Sequence, residues 1–321
     1  MLGGYRPSAA IGNSCASIDA RCACGRKARM NAQEPSATAA LIALDRGLGS
    51  LRRRPIAIDP FAELLVPHKY ARFIAGAREH RHLFGAATIV LDSLFSGRSR
   101  HVQLRTRYID DVVEERARAG VSQVVLLGAG LDARAYRLNN LERTVVFEVD
   151  HPASQAYKKE RAAALIPRAK EVRSIPVDLE RESFANRLAE AGHDRAAPTT
   201  FVWEGVAMYL SIEAIDQTID RIAECSAPGS TLVMTYWERA ADESLYVRAI
   251  KTILRSMSEP LKSALSQAEI AEKLTRAQFQ VEADVDDVNL ASKYAPGSPQ
   301  APTFERLLRA TRNSPASSVR T

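Results

Sequence analysis

The sequence predicts an α/β fold, a doubly wound and mostly parallel sheet preceded by a helical N-terminal cap. Three observations carry this. First, Val124-Val125-Leu126-Leu127 is an unbroken apolar run that stops at Gly128-Ala129-Gly130. A strand buried on both faces reads this way, and glycine lets the backbone turn sharply where the strand ends. Second, from this point strand-length apolar runs alternate with helical patterns, as parallel strands joined by crossover helices require. Third, residues 36–119 read as mostly helical.

Residues 1–34 are rich in Gly, Ser, Ala and Arg without periodicity and read as a disordered tail, with Met30 as an alternative start. The helical cap spans 35–119. Ser36 is its first N-cap, ahead of Ala40, Leu41, Leu44 and Leu48. Arg52-Arg53-Arg54-Pro55 breaks that helix, and Pro60 opens a short one over 61–66. Residues 69–100 are helical and loop-rich, most apolar over 86–95, and a helix at 102–119 leads into the first strand. The core spans 120–311. Its strands fall at 123–127, 144–149, 171–177, 199–203 and 230–236, with helices between them at 132–138, 152–165, 182–191 and 211–225. Gly192 ends the third of these helices and Ser211 caps the fourth. Helices at 242–257 and 266–277 and a strand at 278–285 follow. Residues 296–299 form a loop, 304–310 an edge strand or short helix, and 312–321 a frayed end.

The 321 residues hold 26% charged and 46% hydrophobic residues, ordinary for a globular protein with ample core. No apolar run approaches the roughly 18 residues of a membrane span, so no membrane partner is expected. The net charge of +6 is confined to the first 54 residues, which hold nine Lys/Arg and three Asp/Glu; the remaining 35 basic and 35 acidic residues cancel. A generally basic, nucleic-acid-binding surface is therefore not expected. Cys15, Cys22, Cys24 and Cys225 form neither paired C-x-x-C units nor a disulfide framework. With no apolar signal segment, a cytoplasmic location fits. His80 and His82 lack an evident third ligand, so no metal is expected.

Strand, glycine turn and helix build a nucleotide site at the carboxyl ends of parallel strands. About twenty residues further on, Val145-Val146-Phe147 ends in Glu148-Val149-Asp150, where an acid can take both ribose hydroxyls of an adenosine. Gly128-Ala129-Gly130-Leu131-Asp132-Ala133 also satisfies the dinucleotide pattern. Asp132 argues against NAD, because a carboxylate in that first helical turn would repel the pyrophosphate seated there. S-adenosyl-L-methionine has no phosphate, and its sulfonium and ammonium tolerate an acid. Asp132 is equally readable as a helix N-cap. An NAD-dependent oxidoreductase is the alternative, but neither Tyr136, Tyr157 nor Tyr209 has Lys four residues on. A cofactor-binding module without turnover is a third reading.

The run 125–138, VLLGAGLDARAYRL, resembles the signature of the leucine carboxyl methyltransferase family, and more closely its actinobacterial S-adenosyl-L-methionine-dependent O-methyltransferase branch. Further blocks match in order: Arg105 to Asp111, Phe147 to Pro152, Val177-Asp178-Leu179, and Trp203 to Leu210. The resemblance covers about residues 35–240 and implies a class I methyltransferase, Rossmann-like fold. It implies that Arg105 binds the methionine carboxylate as a bidentate fork, with Arg107 a possible substitute. Gly128 and Gly130 would pass under the methionine portion and Asp150 would hold the ribose. Asp178 would take the exocyclic amine of adenine, and Leu179 would cover a ring face. Glu204 would approach the ammonium, since its burial among Trp203, Val206 and Met208 needs a positive partner. Glu148 is expected to face away from the ligand.

A carboxylate acceptor is ionised at neutral pH and needs no base; a hydroxyl needs one. His151 is a candidate base, with helix capping or packing as its other reading. The acceptor pocket is expected between the cap and the loops after the fourth and fifth strands, with Tyr209, Tyr236 and Trp237 as walls. The expected acceptor is a small metabolite. No catalytic residue and no oligomeric state are assigned.

Overall fold

The structure, a computed structural model, describes residues 35–81, 97–243, 245–257, 259–297 and 304–314. The expectations for 1–34, 86–95, His82 and 315–321 lie outside these residues. The N-terminal helices are α1 (Ala37–Ser50), α2 (Ala62–Leu65), α3 (His68–Glu79) and α4 (Arg98–Arg118). Ser36 caps α1 by accepting the Ala39 amide. The strands are β1 (Gln123–Leu127), β2 (Val145–Asp150), β3 (Glu171–Pro176), β4 (Thr199–Trp203), β5 (Thr231–Trp237), β6 (Phe279–Val285) and β7 (Glu305–Arg312). The helices among them are α5 (Arg134–Arg137), α6 (Pro152–Arg161), α7 (Phe184–Glu190), α8 (Ile212–Glu224), α9 (Leu245–Ser256), α10 (Gln267–Arg276) and α11 (Asp287–Tyr294).

The sheet order is β3-β2-β1-β4-β5-β7-β6. Strands β1 to β5 are parallel, and β7 runs antiparallel to both β5 and β6. The order turns outward in both directions from β1 and β4, so the loops after these two strands diverge and leave a crevice at their carboxyl ends. Side chains alternate between the faces. Val124, Leu126, Val202 and Val233 pack with Leu104, Ile109 and Val113 of α4 on one face. Val125, Leu127, Phe201, Trp203 and Met234 pack with Phe184 of α7 and Ile215 and Ile219 of α8 on the other. Both faces of β1, β4 and β5 are buried, as their continuous apolar runs require.

Two elements differ from expectation. The helix expected over 132–138 is a single turn, α5, because the Asp132 side chain takes the Arg134 amide at its start and Leu138 is already extended at its end. The segment at 304–310 is neither an edge strand nor a helix. It is an interior strand, paired along both sides, and β6 forms the edge. Among the described residues no helix is long and apolar enough to cross a membrane.

Candidate functional site

The glycine turn after β1 is held from both sides. Gly128 and Gly130 adopt φ values of +70° and +45°, in the left-handed region that side chains disfavour. A Cβ on Gly128 would lie 2.3 Å from Val206 Cγ2, and one on Gly130 would lie 3.3 Å from the Ala39 Cβ of α1. The amides of Gly128 and Ala129 donate to the Val149 carbonyl at 2.8 and 3.1 Å. The Gly130 amide donates to Asp150 Oδ2, and the His151 amide to Asp150 Oδ1 at 2.6 Å. Asp150 is thus pinned at the carboxyl end of β2 against the turn. Burial raises its pKa, partly offset by those two amides. Asp178 and Leu179 follow β3 directly after Val177, whose amide donates to the Asp150 carbonyl at 2.8 Å. Asp178 accepts the Glu180 amide at 3.0 Å.

Arg105 and Glu204 meet directly. The Arg105 Nε donates to Glu204 Oε1 at 2.8 Å, and its Nη1 donates to Glu305 Oε1 and Oε2 at 3.0 and 2.8 Å. Its Nη2 makes no hydrogen bond to a described residue and lies 3.7 Å from where a Cβ on Gly205 would stand. The expected two-nitrogen fork is therefore not free in this arrangement; one nitrogen is. Arg107 is an exposed residue paired with Asp111 at 2.8 Å, one helical turn on. The positive partners expected for Glu204 come from the chain itself, since Glu204 Oε2 accepts from Arg134 Nη1 at 2.7 Å. Burial opposes ionisation of Glu204, but Arg134 and Arg105 outweigh it and bring its pKa down to about 2.

Arg134 was not anticipated, because an arginine in a presumed helix reads as a surface residue. It is 2% exposed. It donates to Asp110 Oδ1 at 2.8 Å and Asp132 Oδ2 at 2.5 Å besides Glu204. Asp132 therefore pairs with Arg134 through both its amide and its guanidinium; the N-cap itself is Ala133, so Asp132 is not the helix cap expected of it. His101, Asp287 and Glu305 were missed too. They are 186 and 204 residues apart along the chain, and no local pattern links them.

Tyr236 corrects the expected pocket wall. It shares the parity of Leu232 and Met234, is 1% exposed in the core, and donates to Asp284 Oδ2 at 2.6 Å. Trp237 points the other way, packing against Phe304 with centroids 4.9 Å apart, beside Met208 and Tyr209. Burial raises the pKa of the Tyr209 hydroxyl to about 12. Glu148 is also corrected. It shares parity with Asp150, so it lies on the same face, two residues deeper, where Lys158 of α6 pairs with it at 2.9 Å. His151 is the N-cap of α6, its Nδ1 accepting the Ala153 amide at 3.2 Å.

The carboxyl ends of β1, β2, β3 and β4 thus present an acid at a glycine turn, a second acid after β3, and an ionised glutamate, and α4 brings to that glutamate an arginine with one uncommitted nitrogen. Such a set suits a nucleoside diol at one end and an amino-acid zwitterion at the other. Comparison with known proteins bears on which ligand this is. Residues 39–223 match the family described as Leucine carboxyl methyltransferase. A relative from Mycolicibacterium paratuberculosis is 38% identical over 224 residues, covering 68% of this chain and 72% of the relative. Another from Mycolicibacterium vanbaalenii is 36% identical over 233 residues, covering 70% and 74%. Both carry the name S-adenosyl-L-methionine-dependent methyltransferase. A crystal structure from Thermobifida fusca, also named a methyltransferase, matches with TM-score 0.56 at 17% identity, over 88% of this chain and 96% of that one. A DUF574-family protein from Streptomyces avermitilis matches with TM-score 0.54 at 15% identity, over 71% and 88%.

Proposed function

The chain belongs to the leucine carboxyl methyltransferase family and is an S-adenosyl-L-methionine-dependent methyltransferase, and from that premise we propose that it methylates an oxygen of a small cytoplasmic metabolite, with a carboxylate favoured over a hydroxyl. The cofactor supplies a methyl group already activated on a sulfonium. Asp150 holds the ribose hydroxyls with the lone pairs its two amides leave free. Asp178 takes the adenine amine and Leu179 covers the ring. Arg105 offers Nη2 to the methionine carboxylate, and Glu204 offers its remaining lone pairs to the ammonium. Helix α1, with Ala39 over Gly130, shields this end from water. Alignment of acceptor and methyl then supplies most of the acceleration, roughly 7–11 kcal/mol from proximity.

One observation carries the preference for a carboxylate. Among the described residues at the site, no side chain suits removal of a hydroxyl proton at neutral pH. Glu204 and Glu305 are locked to arginines with pKa values of about 2. Tyr209 stays protonated to about 12, and the His151 Nδ1 is committed to its helix. A carboxylate needs no base. The test is a transfer assay comparing small carboxylic acids with phenols and alcohols from pH 6 to 9. The proposal expects turnover of acids at a rate flat with pH. Turnover confined to hydroxyl acceptors and rising with pH would overturn it.

A further inference from the structure

We propose that Glu305 is a positioning residue for the methionine end of the cofactor, holding Arg105 in place from β7. The proposal rests on the reading of Arg105 as the ligand of the methionine carboxylate.

Topology makes it possible. The reacting edge of the sheet is the carboxyl edge of β1 to β5. Because β7 is antiparallel, its first residue arrives at that edge, and Glu305 pairs with Trp237, the last residue of β5. By alternation Glu305 faces the side of the sheet that α4 covers, the side on which Leu307 is buried. On α4, His101 and Arg105 are four residues apart and share one face. Both reach the same carboxylate, His101 Nε2 at 2.7 Å and Arg105 Nη1 at 2.8 Å, each to Glu305 Oε2. On its other side His101 Nδ1 lies 2.7 and 2.9 Å from the two oxygens of Asp287, at the start of α11.

Thr235 lies on β5, two residues before Trp237, the β5 partner of Glu305. Thr235 Oγ1 accepts the Gly205 amide at 2.8 Å. Gly205 has φ +69° and follows Glu204, so the turn that carries Glu204 is anchored to β5, the strand beside the one that carries Glu305. With Nε on Glu204 and Nη1 on Glu305, the plane of the guanidinium is set and Nη2 is the nitrogen left without a hydrogen bond to a described residue. Glu305, His101 and Asp287 are each at most 3% exposed. Burying such charges costs desolvation that apolar residues would avoid. The return in this case is orientation: a guanidinium with both flanking nitrogens anchored loses little further freedom when the ligand binds.

The test compares two ligands. S-adenosylhomocysteine carries the amino-acid end, and 5′-methylthioadenosine lacks it. Dissociation constants of both are measured by calorimetry for the full chain and for Glu305→Gln, Glu305→Asp and Arg105→Gln, with thermal melts confirming that each variant folds. Glu305→Gln is expected to weaken S-adenosylhomocysteine about ten-fold or more, as loss of a charged hydrogen bond would, and to leave methylthioadenosine within about two-fold. Glu305→Asp keeps the charge but cannot reach both partners; it should show the same selective loss and serves if Glu305→Gln does not fold. Equal weakening of both ligands would mean a merely structural role and would overturn the proposal. So would unchanged S-adenosylhomocysteine binding alongside a selective loss in Arg105→Gln. If Arg105→Gln itself binds S-adenosylhomocysteine normally, the reading of Arg105 fails and the proposal falls with it.

Discussion

Charges at this site are buried in numbers that apolar packing does not need, and their ionisation links to stability. His101 loses by burial, but Asp287 and Glu305 outweigh that and raise its pKa to about 9. A raised folded-state value stabilises fully below the unfolded value, near 6.5, and is lost as pH rises through about 9. Burial also opposes ionisation of Glu305, while Arg105 and His101 lower its pKa to about 2; its contribution, like that of Glu204, is present above about 4.5 and lost as pH falls toward 2. Melting temperature should therefore decline between pH 6.5 and 9, and His101→Gln should flatten that decline; a variant with the native slope would refute the assignment. At the glycine turn, Gly128→Ala meets both a positive φ and the Val206 methyl at 2.3 Å. It should cost about 1–3 kcal/mol in urea unfolding. The placement of Asp150 against the glycine turn was legible in the sequence because it ends an apolar run at a fixed distance from that turn. Tyr236 was misread for want of parity: its neighbours in alternation, Leu232 and Met234, already marked it as core. Glu305 and His101 were illegible, because only the sheet order brings them together.

Among the elements, β7 departs furthest from what its sequence suggests. Arg306 and Arg309 interrupt its apolar residues, which reads as an exposed edge. Both arginines are instead paired, with Asp284 at 2.7 Å and with Glu115 at 2.7 Å, so a polar pattern is compatible with an interior strand. Leu308 of this strand is fully buried between β5 and β6. Leu308→Ala should lower stability by about 2–5 kcal/mol; a loss well under 1 kcal/mol would contradict the interior placement. The five parallel strands were legible to within about a residue, because each is an apolar run bounded by turn residues. Helix lengths were less so. The helix after the glycine turn shortens to Arg134–Arg137, since Asp132 and Arg134 are drawn into the ion network that no periodicity encodes.

At the scale of the molecule, helices ahead of the sheet and a strand at its C-terminal end converge on one crevice. Arg46 of α1 donates to the Leu131 carbonyl at 2.5 Å, Glu259 accepts the Ala37 amide at 2.9 Å, and Glu305 arrives on β7. A ligand bound there contacts groups from distant parts of the chain, so binding and global stability are coupled. Saturating S-adenosylhomocysteine, at about 100 times its dissociation constant, should add about 2.7 kcal/mol of stability. Thermal melts with and without it check this, and Asp150→Ala should abolish the shift while keeping the fold. The most direct test of the central claim is calorimetric titration of the protein with S-adenosyl-L-methionine, S-adenosylhomocysteine and NAD in parallel. Binding of the first two in the micromolar range with no response to NAD is the predicted result; binding of NAD alone, or undiminished S-adenosyl-L-methionine binding in Asp150→Ala, would contradict it.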